Sequence, residues 1–375
     1  MSALEELTGL ASDLVNPAVL DWKAKGGKVV GFCCSYVPEE ILYAADILPY
    51  RIRASGCAET SSADIYMTHL NCSFVRSCLQ FALEGRYEFL DGLVFTNSCD
   101  HVRRLYDVVR ETVHFPFMHF ISAPHKVSDD AIAWYEEELS EFRGNIERSF
   151  GVEITEASLS QAIDVCNETR SLLKRLYQLR RREIPPVTGA ESLSVVLAAT
   201  TTPKDQYNQL LRRLLEELAE REGTSGYRAR LMIAGSGGCD NPAYYEIMED
   251  LGGLVVTDSL CFGSRYFWEP VELEGGDLML SLAKSYLDRP SCPRMVDKVA
   301  ERSDFVKQMV EDFRVHGVIF QRIRYCDLWG GQLLHLRKKL RESNIPLLSL
   351  EREYMLGGTG QLRTRVQAFL ERMES

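Results

Sequence analysis

Hydrophobic and polar positions along the chain follow a pattern that predicts strands alternating with helices. The first amphipathic segment predicts one helix over residues 3–24, which Gly26 and Gly27 end, and an apolar run over residues 28–34 then predicts a buried strand. A helix follows from about Pro38, with two carboxylates in the first turn, where the helix dipole favours them. A strand followed by a helix is typical of a parallel α/β unit.

The same alternation returns twice, on either side of a region with a different composition. Residues 91–123 have the pattern of strand, helix and strand, and strand–helix units begin again near Tyr227. Residues 128–222 between them carry long helical patterns rich in Glu, Arg and Leu. We therefore predict an α/β fold with two parallel-sheet domains joined by a helical region.

The domain boundaries follow from these changes in pattern. We predict an N-terminal helix and first α/β domain over residues 1–125, a helical connector over 126–225, and a second α/β domain over 226–375. The arginine-rich run over residues 170–182 in the connector is either a basic docking face or, as charge runs on helices usually are, a solvated face.

A weak internal repeat relates the two α/β regions. GLVFTNSCDHVRRLYDVVRE and GVIFQRIRYCDLWGGQLLHLRKKL share one plan, in which an apolar strand ends in a Cys-Asp pair and a helix follows. Cys99 and Cys326 therefore occupy equivalent places. Other cysteines also match in the two halves: Cys33 or Cys34 matches Cys239 after the first strand, and Cys57 matches Cys261 after the second.

Composition and charge narrow the classes of function. Of 375 residues, 45% are hydrophobic, which is enough for a globular core. The formal net charge of −11 disfavours binding to nucleic acid, because an acidic surface repels phosphates. No apolar run approaches the ~20 residues of a membrane span. The acidic N-terminus does not resemble a secretory signal, so we expect a cytoplasmic protein.

The cysteine content is the unusual feature of this composition. Eleven cysteines are too few for a small disulfide scaffold, and a cytoplasmic chain of this size needs no disulfides. The sequence contains no C-x-x-C and no H-x-x-x-H pair, which argues against zinc. Ligands bind outside the carboxyl ends of strands in open α/β sheets, so thiolates gathered there suit an iron–sulfur cluster.

Each cysteine can also be an ordinary buried thiol, because cysteine behaves as a small hydrophobe. The repeat favours Cys99 and Cys326 most strongly as ligands. The pair in NCSFVRSC is evenly balanced, Cys34 and Cys261 are intermediate, and Cys239 in the turn GSGGCD is weaker. The remaining four, which are interpreted as core or incidental thiols, are Cys33, Cys57, Cys166 and Cys292.

The remaining motifs mainly argue against other classes of binding or catalytic site. GSGG at residues 235–238 lacks the full dinucleotide fingerprint, and neither a P-loop nor a G-x-S-x-G elbow is present. The segment GSRYFW, residues 263–268, either borders a site after Cys261 or is an ordinary packed loop.

Several segments together resemble a known family. GFCCSYVPEEILYAADILPYRIRA, NCSFVRSC, TNSCD, DSLCFGSRYFW and RYCDLWG look like the 2-hydroxyacyl-CoA dehydratase and benzoyl-CoA reductase family, in the expected order and across nearly the whole chain. The resemblance implies two flavodoxin-like (Rossmann-like) domains with an iron–sulfur cluster between them. It also implies a separate ATP-hydrolysing activator protein, with its own 4Fe-4S cluster, that supplies single electrons.

The family resemblance also suggests cluster ligands. The three cysteines of a typical dehydratase subunit would match Cys72, Cys99 and Cys326, but this chain has more thiols than that. The pattern looks most like the double-cubane cluster protein branch, a homodimeric relative with an 8Fe-9S cluster. The implied ligand set is Cys34, Cys72, Cys78, Cys99, Cys261 and Cys326. Arg76, Arg265 and Arg324 lie beside these thiols and could offset cluster charge, or serve in ordinary surface contacts.

Three functional hypotheses follow from this resemblance. The first is a homodimeric reductase component that receives low-potential electrons from the ATP-dependent activator and reduces a small molecule at a double cubane. The second is a 2-hydroxyacyl-CoA dehydratase subunit with a 4Fe-4S cluster, which acts on an acyl-CoA through radical dehydration. The third is a non-catalytic, cluster-bearing electron carrier. The sequence does not identify the substrate or decide whether Cys33 or Cys239 is a ligand.

Overall fold

Eight strands form two separate parallel sheets in the computed structural model, which describes residues 1–374. The strands are β1 (Lys28–Phe32), β2 (Ile47–Arg51), β3 (Gly92–Thr96), β4 (Met118–Ile121), β5 (Ala229–Gly235), β6 (Gly253–Ser259), β7 (Gly317–Ile323) and β8 (Leu347–Arg352). The two sheets have the same strand order, β2-β1-β3-β4 and β6-β5-β7-β8. This order is that of a flavodoxin-like sheet, so the predicted fold class is confirmed.

Fifteen helices surround the sheets in the described part of the chain. The first eight are α1 (Ala3–Ser12), α2 (Pro17–Ala24), α3 (Glu39–Ala44), α4 (Ser73–Leu83), α5 (Asp100–Thr112), α6 (Asp129–Phe150), α7 (Glu156–Leu179) and α8 (Gly189–Ala199). The others are α9 (Lys204–Glu220), α10 (Ala243–Glu249), α11 (Ser264–Phe267), α12 (Leu278–Asp288), α13 (Val299–Asp312), α14 (Asp327–Glu342) and α15 (Thr359–Glu374). A short 3₁₀ turn spans Ala63–Ile65.

Three helices of the region between the sheets begin with N-cap residues of the expected types. Ser128, Thr155 and Thr188 precede α6, α7 and α8, and each side chain accepts a hydrogen bond from a backbone N–H of the first turn. Such caps satisfy donors that a helix leaves free. α6 ends at Gly151, whose φ of 66° is the left-handed conformation that glycine adopts without strain.

The single helix predicted over residues 3–24 is wrong, because the structure has α1 and α2 with a break between them. Asn16 makes the break: its Oδ1 accepts from Val19 N at 3.0 Å and so caps α2. Its Nδ2 donates to Leu10 O and to Thr201 Oγ1, both at 3.0 Å. The buried asparagine therefore ends one helix, starts the next and fixes both to the loop after α8.

Two helices pack into the core around the sheet of the opposite half of the chain. α1 packs on α8 and α9 and joins the core of the second sheet. α12 packs on α6 and contributes Leu282 and Ala283 to a core that includes Val30 and Phe32 of β1. The boundaries at residues 125 and 225 stay a prediction, and helices of each half of the sequence contact the opposite half.

Two arginines of the run over residues 170–182 are buried rather than available for docking. Arg170 pairs with Glu40 of α3 at 2.5 Å, and both side chains are almost fully buried. Arg180 donates to Ser192 Oγ at 2.9 Å and to Val255 O at 2.7 Å. A nearby pair, Lys204 and Glu39 at 2.8 Å, is buried as well. These contacts attach the helical region to α3 and β6.

None of the helices within residues 1–374 combines the length and the apolar character that crossing a bilayer requires.

Candidate metal centre

Seven cysteines line one cavity of about 120 Å³ where loops from the carboxyl ends of both sheets meet. They are Cys33, Cys34, Cys72, Cys99, Cys261, Cys292 and Cys326. Cys33 and Cys34 follow β1, Cys99 precedes α5 after β3, Cys261 follows β6 and Cys326 precedes α14 after β7. The strand order puts β1 beside β3 and β5 beside β7 in the middle of the sheets, so these loops open at the site where such folds bind ligands.

Three of these thiols stand at the beginning of helices. Cys72, Cys99 and Cys326 are the N-cap residues of α4, α5 and α14. Each thiol faces the free backbone N–H groups of its own first turn, those of Val75, Val102 and Trp329 respectively. Helix N-termini carry partial positive charge, so the arrangement favours negative charge on all three sulfurs.

The three thiols act electrostatically on one another. Burial raises the pKa of Cys72, Cys99 and Cys326 to about 12 each. A smaller rise comes from thiols nearby: Cys99 acts on Cys72, Cys326 acts on Cys99, and Cys72 acts on Cys326. The unligated thiols are therefore protonated at neutral pH, and a bound metal would displace their protons.

Cys34, Cys261 and Cys292 form a second group in the same cavity. Burial raises the pKa of Cys292, Arg265 lowers it, and Cys34 and Cys261 raise it further. Cys292 lies in the loop after α12 and also raises the pKa values of Cys99 and Cys326, and Cys34 likewise raises that of Cys99, so both thiols link the two groups. On this basis we group six of the seven thiols as two triads, Cys72, Cys99 and Cys326 and Cys34, Cys261 and Cys292; Cys33 is the seventh, and burial raises its pKa, with Cys34 and Cys99 adding to the rise.

The loop that carries Cys261 is folded around a buried carboxylate. Asp258 Oδ1 accepts from Leu260 N at 3.1 Å and from Ser264 N at 2.7 Å. Tyr177 of α7 donates to the other carboxylate oxygen. On the opposite side, a Cβ added at Gly237 would lie 3.2 Å from Cys261 Sγ, so the glycine-rich turn after β5 packs closely against this sulfur.

Positive charge surrounds the thiols. Arg51 and Arg265 line the cavity and are buried, and neither forms an ion pair with a carboxylate in residues 1–374. Arg51 donates to Cys261 O, with its guanidinium 3.9 Å from the centre of the Phe262 ring. Arg265 donates to Ser291 O at 3.1 Å and lies over Trp329. Both arginines can offset the charge of bound thiolates.

The other two arginines singled out in the sequence are engaged elsewhere. Arg76 donates to Asp64 Oδ1 at 2.7 Å, and this carboxylate neutralises the charge of the guanidinium group. Arg324 is exposed and lies beside Glu351 and Glu353. Arg265, by contrast, reaches the cavity from α11, so the segment GSRYFW does border the site.

His101 connects two of the helix N-termini. Its Nδ1 accepts from Cys72 N at 3.1 Å, although His101 itself lies in the first turn of α5 after Cys99. Burial lowers the pKa of His101, and Asp327 at the start of α14 opposes the shift. The neutral imidazole therefore orients Cys72 through the backbone, which is how residues behind a metal ligand commonly act.

Tyr354 holds the two halves together beside the cavity. Its hydroxyl donates to Asp240 Oδ2 at 2.7 Å and accepts from Ala54 N at 3.0 Å. Its backbone N–H donates to Ser73 Oγ at 2.8 Å, next to Cys72. The ring also meets Phe74 edge to face, with centroids 5.3 Å apart. The relative position of the two triads of thiols is therefore set by packing as well as by loops.

Five of the six sequence-predicted ligands reach this cavity, and Cys78 does not line it. Cys78 is buried on α4 beside Tyr87, and burial raises its pKa; Cys72 adds to the rise and Cys78 raises the pKa of Cys33, so it is close to two thiols that line the cavity. Cys239 is buried near Arg352 and does not line the cavity either. The six-cysteine ligand set stays a prediction.

Two cavity cysteines have a sequence context that indicates ordinary thiols. The only feature of the sequence that points to Cys33 as a cavity residue is its position next to Cys34. Cys292 follows no strand, and its only signal is its position in the loop SCPR between two helices. The other two cysteines interpreted as ordinary thiols lie outside the cavity. Cys57 donates to Glu59 O, and Cys166 is buried within α7.

The donors around the cavity fit an iron–sulfur cluster. Soft thiolate sulfur is the ligand type that such clusters take, and no carboxylate or imidazole lines the cavity in the described chain. All eleven cysteines are free of disulfides. Within residues 1–374, no three His, Cys, Asp or Glu side chains are already gathered as they would be around a single metal ion.

Comparison with known proteins gives one family. Residues 34–373 match the family model described as "2-hydroxyglutaryl-CoA dehydratase, D-component". The chain is 27% identical to a benzoyl-CoA reductase subunit of Thauera aromatica, over 96% of this chain and 95% of that protein. It is 29% identical to "Putative dehydratase subunit YjiM" of Escherichia coli, over 94% and 93%. It is 25% identical to the beta subunit of (R)-2-hydroxyglutaryl-CoA dehydratase of Acidaminococcus fermentans, over 99% of each.

Proposed function

The chain belongs to the 2-hydroxyglutaryl-CoA dehydratase D-component family, and from this premise we propose that it is an iron–sulfur reductase component. It accepts low-potential electrons from an ATP-hydrolysing activator protein with a 4Fe-4S cluster and reduces a small molecule at an 8Fe-9S double cubane. The observation that carries the proposal is the convergence of seven thiols on one cavity.

The ligand set follows from the two triads of thiols. Cys72, Cys99 and Cys326 would hold one cubane, and Cys34, Cys261 and Cys292 would hold the other. Cys292 thus takes the place that the sequence suggested for Cys78, because Cys78 does not line the cavity. When bound, such a cluster supplies storage for low-potential electrons, which single-ion sites do not provide.

The protein's own residues prepare the site for that chemistry. Three helix N-termini and two buried guanidinium groups supply positive potential around the thiolates, and this favours electron uptake. Phe74, Val102 and Ile323 contribute apolar walls that limit access of water. Exclusion of water keeps both the sulfurs and the transferred electrons from side reactions.

Partners are part of the proposal. The benzoyl-CoA reductase and (R)-2-hydroxyglutaryl-CoA dehydratase relatives are themselves subunits of multi-subunit enzymes, and we assign this chain to a cytoplasmic homodimer served by the activator. ATP hydrolysis belongs to the activator in this scheme, because the sequence of this chain has no nucleotide-binding fingerprint.

A second candidate function is favoured by the first triad alone. Cys72, Cys99 and Cys326 are three thiols at equivalent helix N-termini, which is enough for one 4Fe-4S cluster of a 2-hydroxyacyl-CoA dehydratase subunit. That function makes the chain part of a lyase and leaves the second triad without a role. A cluster-bearing electron carrier without catalysis is the third candidate.

Iron and sulfide analysis after anaerobic purification tests the proposal. A double cubane gives about eight irons per chain and about nine sulfides, and a single cubane gives about four of each. A value near four would overturn the reductase proposal in favour of the dehydratase subunit. Turnover of an acyl-CoA with activator, ATP and reductant would support the same alternative, and a full cluster without any turnover would indicate the carrier.

A further inference from the structure

A second cavity lies directly behind the cysteine cavity. It measures about 440 Å³ and is enclosed by α12, α13, α14 and the segment before α12. Trp329 lines both cavities, and Arg265 lies over its ring while donating to Ser291 O. Ser291 in turn lines the second cavity next to Cys292. One layer of side chains therefore separates this space from the thiols.

The inner end of the second cavity is basic. Arg289 and Arg302 line it and are buried, and within residues 1–374 neither forms an ion pair with a carboxylate. Arg302 uses Nε and Nη1 to bind Gln332 Oε1, Ser291 Oγ and Met295 O. Arg289 donates Nη1 to Ser35 O at 2.9 Å and lies over the Tyr286 ring, and its Nε is buried without a partner. Two buried guanidinium groups without a carboxylate partner suit an anionic ligand group.

The outer rim of the same cavity is acidic. Glu269, Glu272, Asp288 and Glu301 line it and are exposed. Asp288 and Glu301 share one lysine, Lys298, whereas Glu269 and Glu272 form no ion pair in residues 1–374. Burial against the rim raises the pKa of Glu269, Lys174 opposes the shift, and Glu272 adds to it. Lys284 and Glu274 also line the cavity and pair at 2.5 Å, so the unpaired rim carboxylates leave a net negative charge.

We propose that this second cavity binds a small zwitterion, with a carboxylate at the buried arginines and an ammonium group at the acidic rim, and that it is the substrate site of the proposed reductase. The volume suits a small ligand. A coenzyme A thioester is disfavoured, because its phosphates would have to lie outside this cavity on the side of the rim carboxylates, where like charges repel. This inference rests on the proposed function for its role, but the binding itself needs no cluster.

Calorimetric titration of the anaerobically purified protein tests the inference. The probes are two ω-amino acids, 4-aminobutyrate and 6-aminohexanoate. Butyrate carries only the carboxylate, n-butylamine carries only the ammonium group, and butyryl-CoA tests a coenzyme A thioester. We expect at least one amino acid to bind about tenfold more tightly than butyrate or butylamine, because only the amino acids engage both ends. Butyryl-CoA should bind more weakly than that amino acid.

A double rim variant, Glu269→Gln with Glu272→Gln, locates the binding. It should weaken amino-acid binding about tenfold and leave butyrate binding unchanged. The matched control is Glu220→Gln, at an exposed carboxylate on α9 outside the cavity, which should change neither. Tighter binding of butyryl-CoA, no binding of either amino acid, or equal affinity in the rim variant would overturn the inference. The iron count of the same preparation reports on the proposed function separately.

Discussion

Cys99 and Cys326 occupy the same position in the two halves of the chain. Each follows the third strand of its sheet, and each is the N-cap of the helix that comes next. Burial raises both pKa values to about 12, and Cys326 is among the neighbours that raise the pKa of Cys99. Two equivalent helix ends, from two sheets of the same order, thus point their thiols at one cavity.

The first prediction concerns the choice between Cys292 and Cys78 as ligands. Cys292→Ser should lower the iron content well below that of the unaltered protein, because Cys292 lines the cavity and links the two triads. Cys78→Ser should leave iron content and the visible spectrum unchanged, because Cys78 does not line the cavity. Anaerobic iron analysis of both variants decides between them. Loss of iron in Cys78→Ser alone would restore the ligand set suggested by the sequence.

The second prediction concerns the contact between the halves at Tyr354. Tyr354→Phe removes the hydroxyl that binds Asp240 and Ala54, and leaves a buried carboxylate short of a donor. We expect the free energy of unfolding to fall by about 1–3 kcal/mol. Urea denaturation measures it, with Tyr66→Phe at an exposed tyrosine as the control. An equal, small effect of both variants would contradict the assigned contact.

The third prediction concerns the buried ion pair between α3 and α7. Glu40→Ala leaves Arg170 charged and without its carboxylate in the interior. Breaking such a pair from one side costs about 3–5 kcal/mol of stability. Thermal or urea unfolding should show this loss, whereas Glu137→Ala, at an exposed position on α6, should change stability by less than about 0.5 kcal/mol. Equal losses of stability in the two variants would mean that the ion pair does not stabilise the fold.

The fourth prediction is a pH dependence that originates at His119. Burial lowers the pKa of His119 to about 4, with Glu141 opposing the shift, and the ring stacks on Phe142. The unfolded chain, in which a histidine has a pKa near 6.5, binds the proton more readily. Stability is therefore highest above about pH 6.5 and falls as the pH drops towards 4.

The loss from this group between pH 7 and pH 5 is at most about 2 kcal/mol. His119→Phe keeps an aromatic ring against Phe142 and cannot take up a proton, so its unfolding free energy should change less over the same interval. Urea titrations of both proteins at the two pH values measure the difference. Parallel pH profiles would exclude His119 as the origin.

The fold was largely predictable because parallel strands covered on both faces appear as short, continuous apolar runs. β1, β3 and β7 have this pattern, and each is followed by a helix. The break between α1 and α2 was missed because the apolar pattern continues through it, although Asn16 followed by Pro17 is a helix-start signal in the sequence. The contact that enforces the break joins Asn16 to Thr201, 185 residues away.

The candidate site was predictable where topology determines it. Strand-end cysteines converge because the carboxyl ends of parallel strands share one edge, so Cys34, Cys99, Cys261 and Cys326 could be selected from the sequence. Cys78 lies six residues after Cys72, about 1.7 helical turns, and so faces another side of α4. Cys292 reaches the cavity from a loop between helices, and no periodic pattern marks such a position.

The origin of the thiols in the cavity has a consequence for how the protein matures. Under the proposed ligand assignment, one triad takes two cysteines from the first half and one from the second, and the other triad takes one and two. A cluster bound in this way cross-links distant parts of the chain, as a set of disulfides would. Insertion of iron would then complete the docking of the halves, and a chain that closed before receiving iron would have sealed its own loading route.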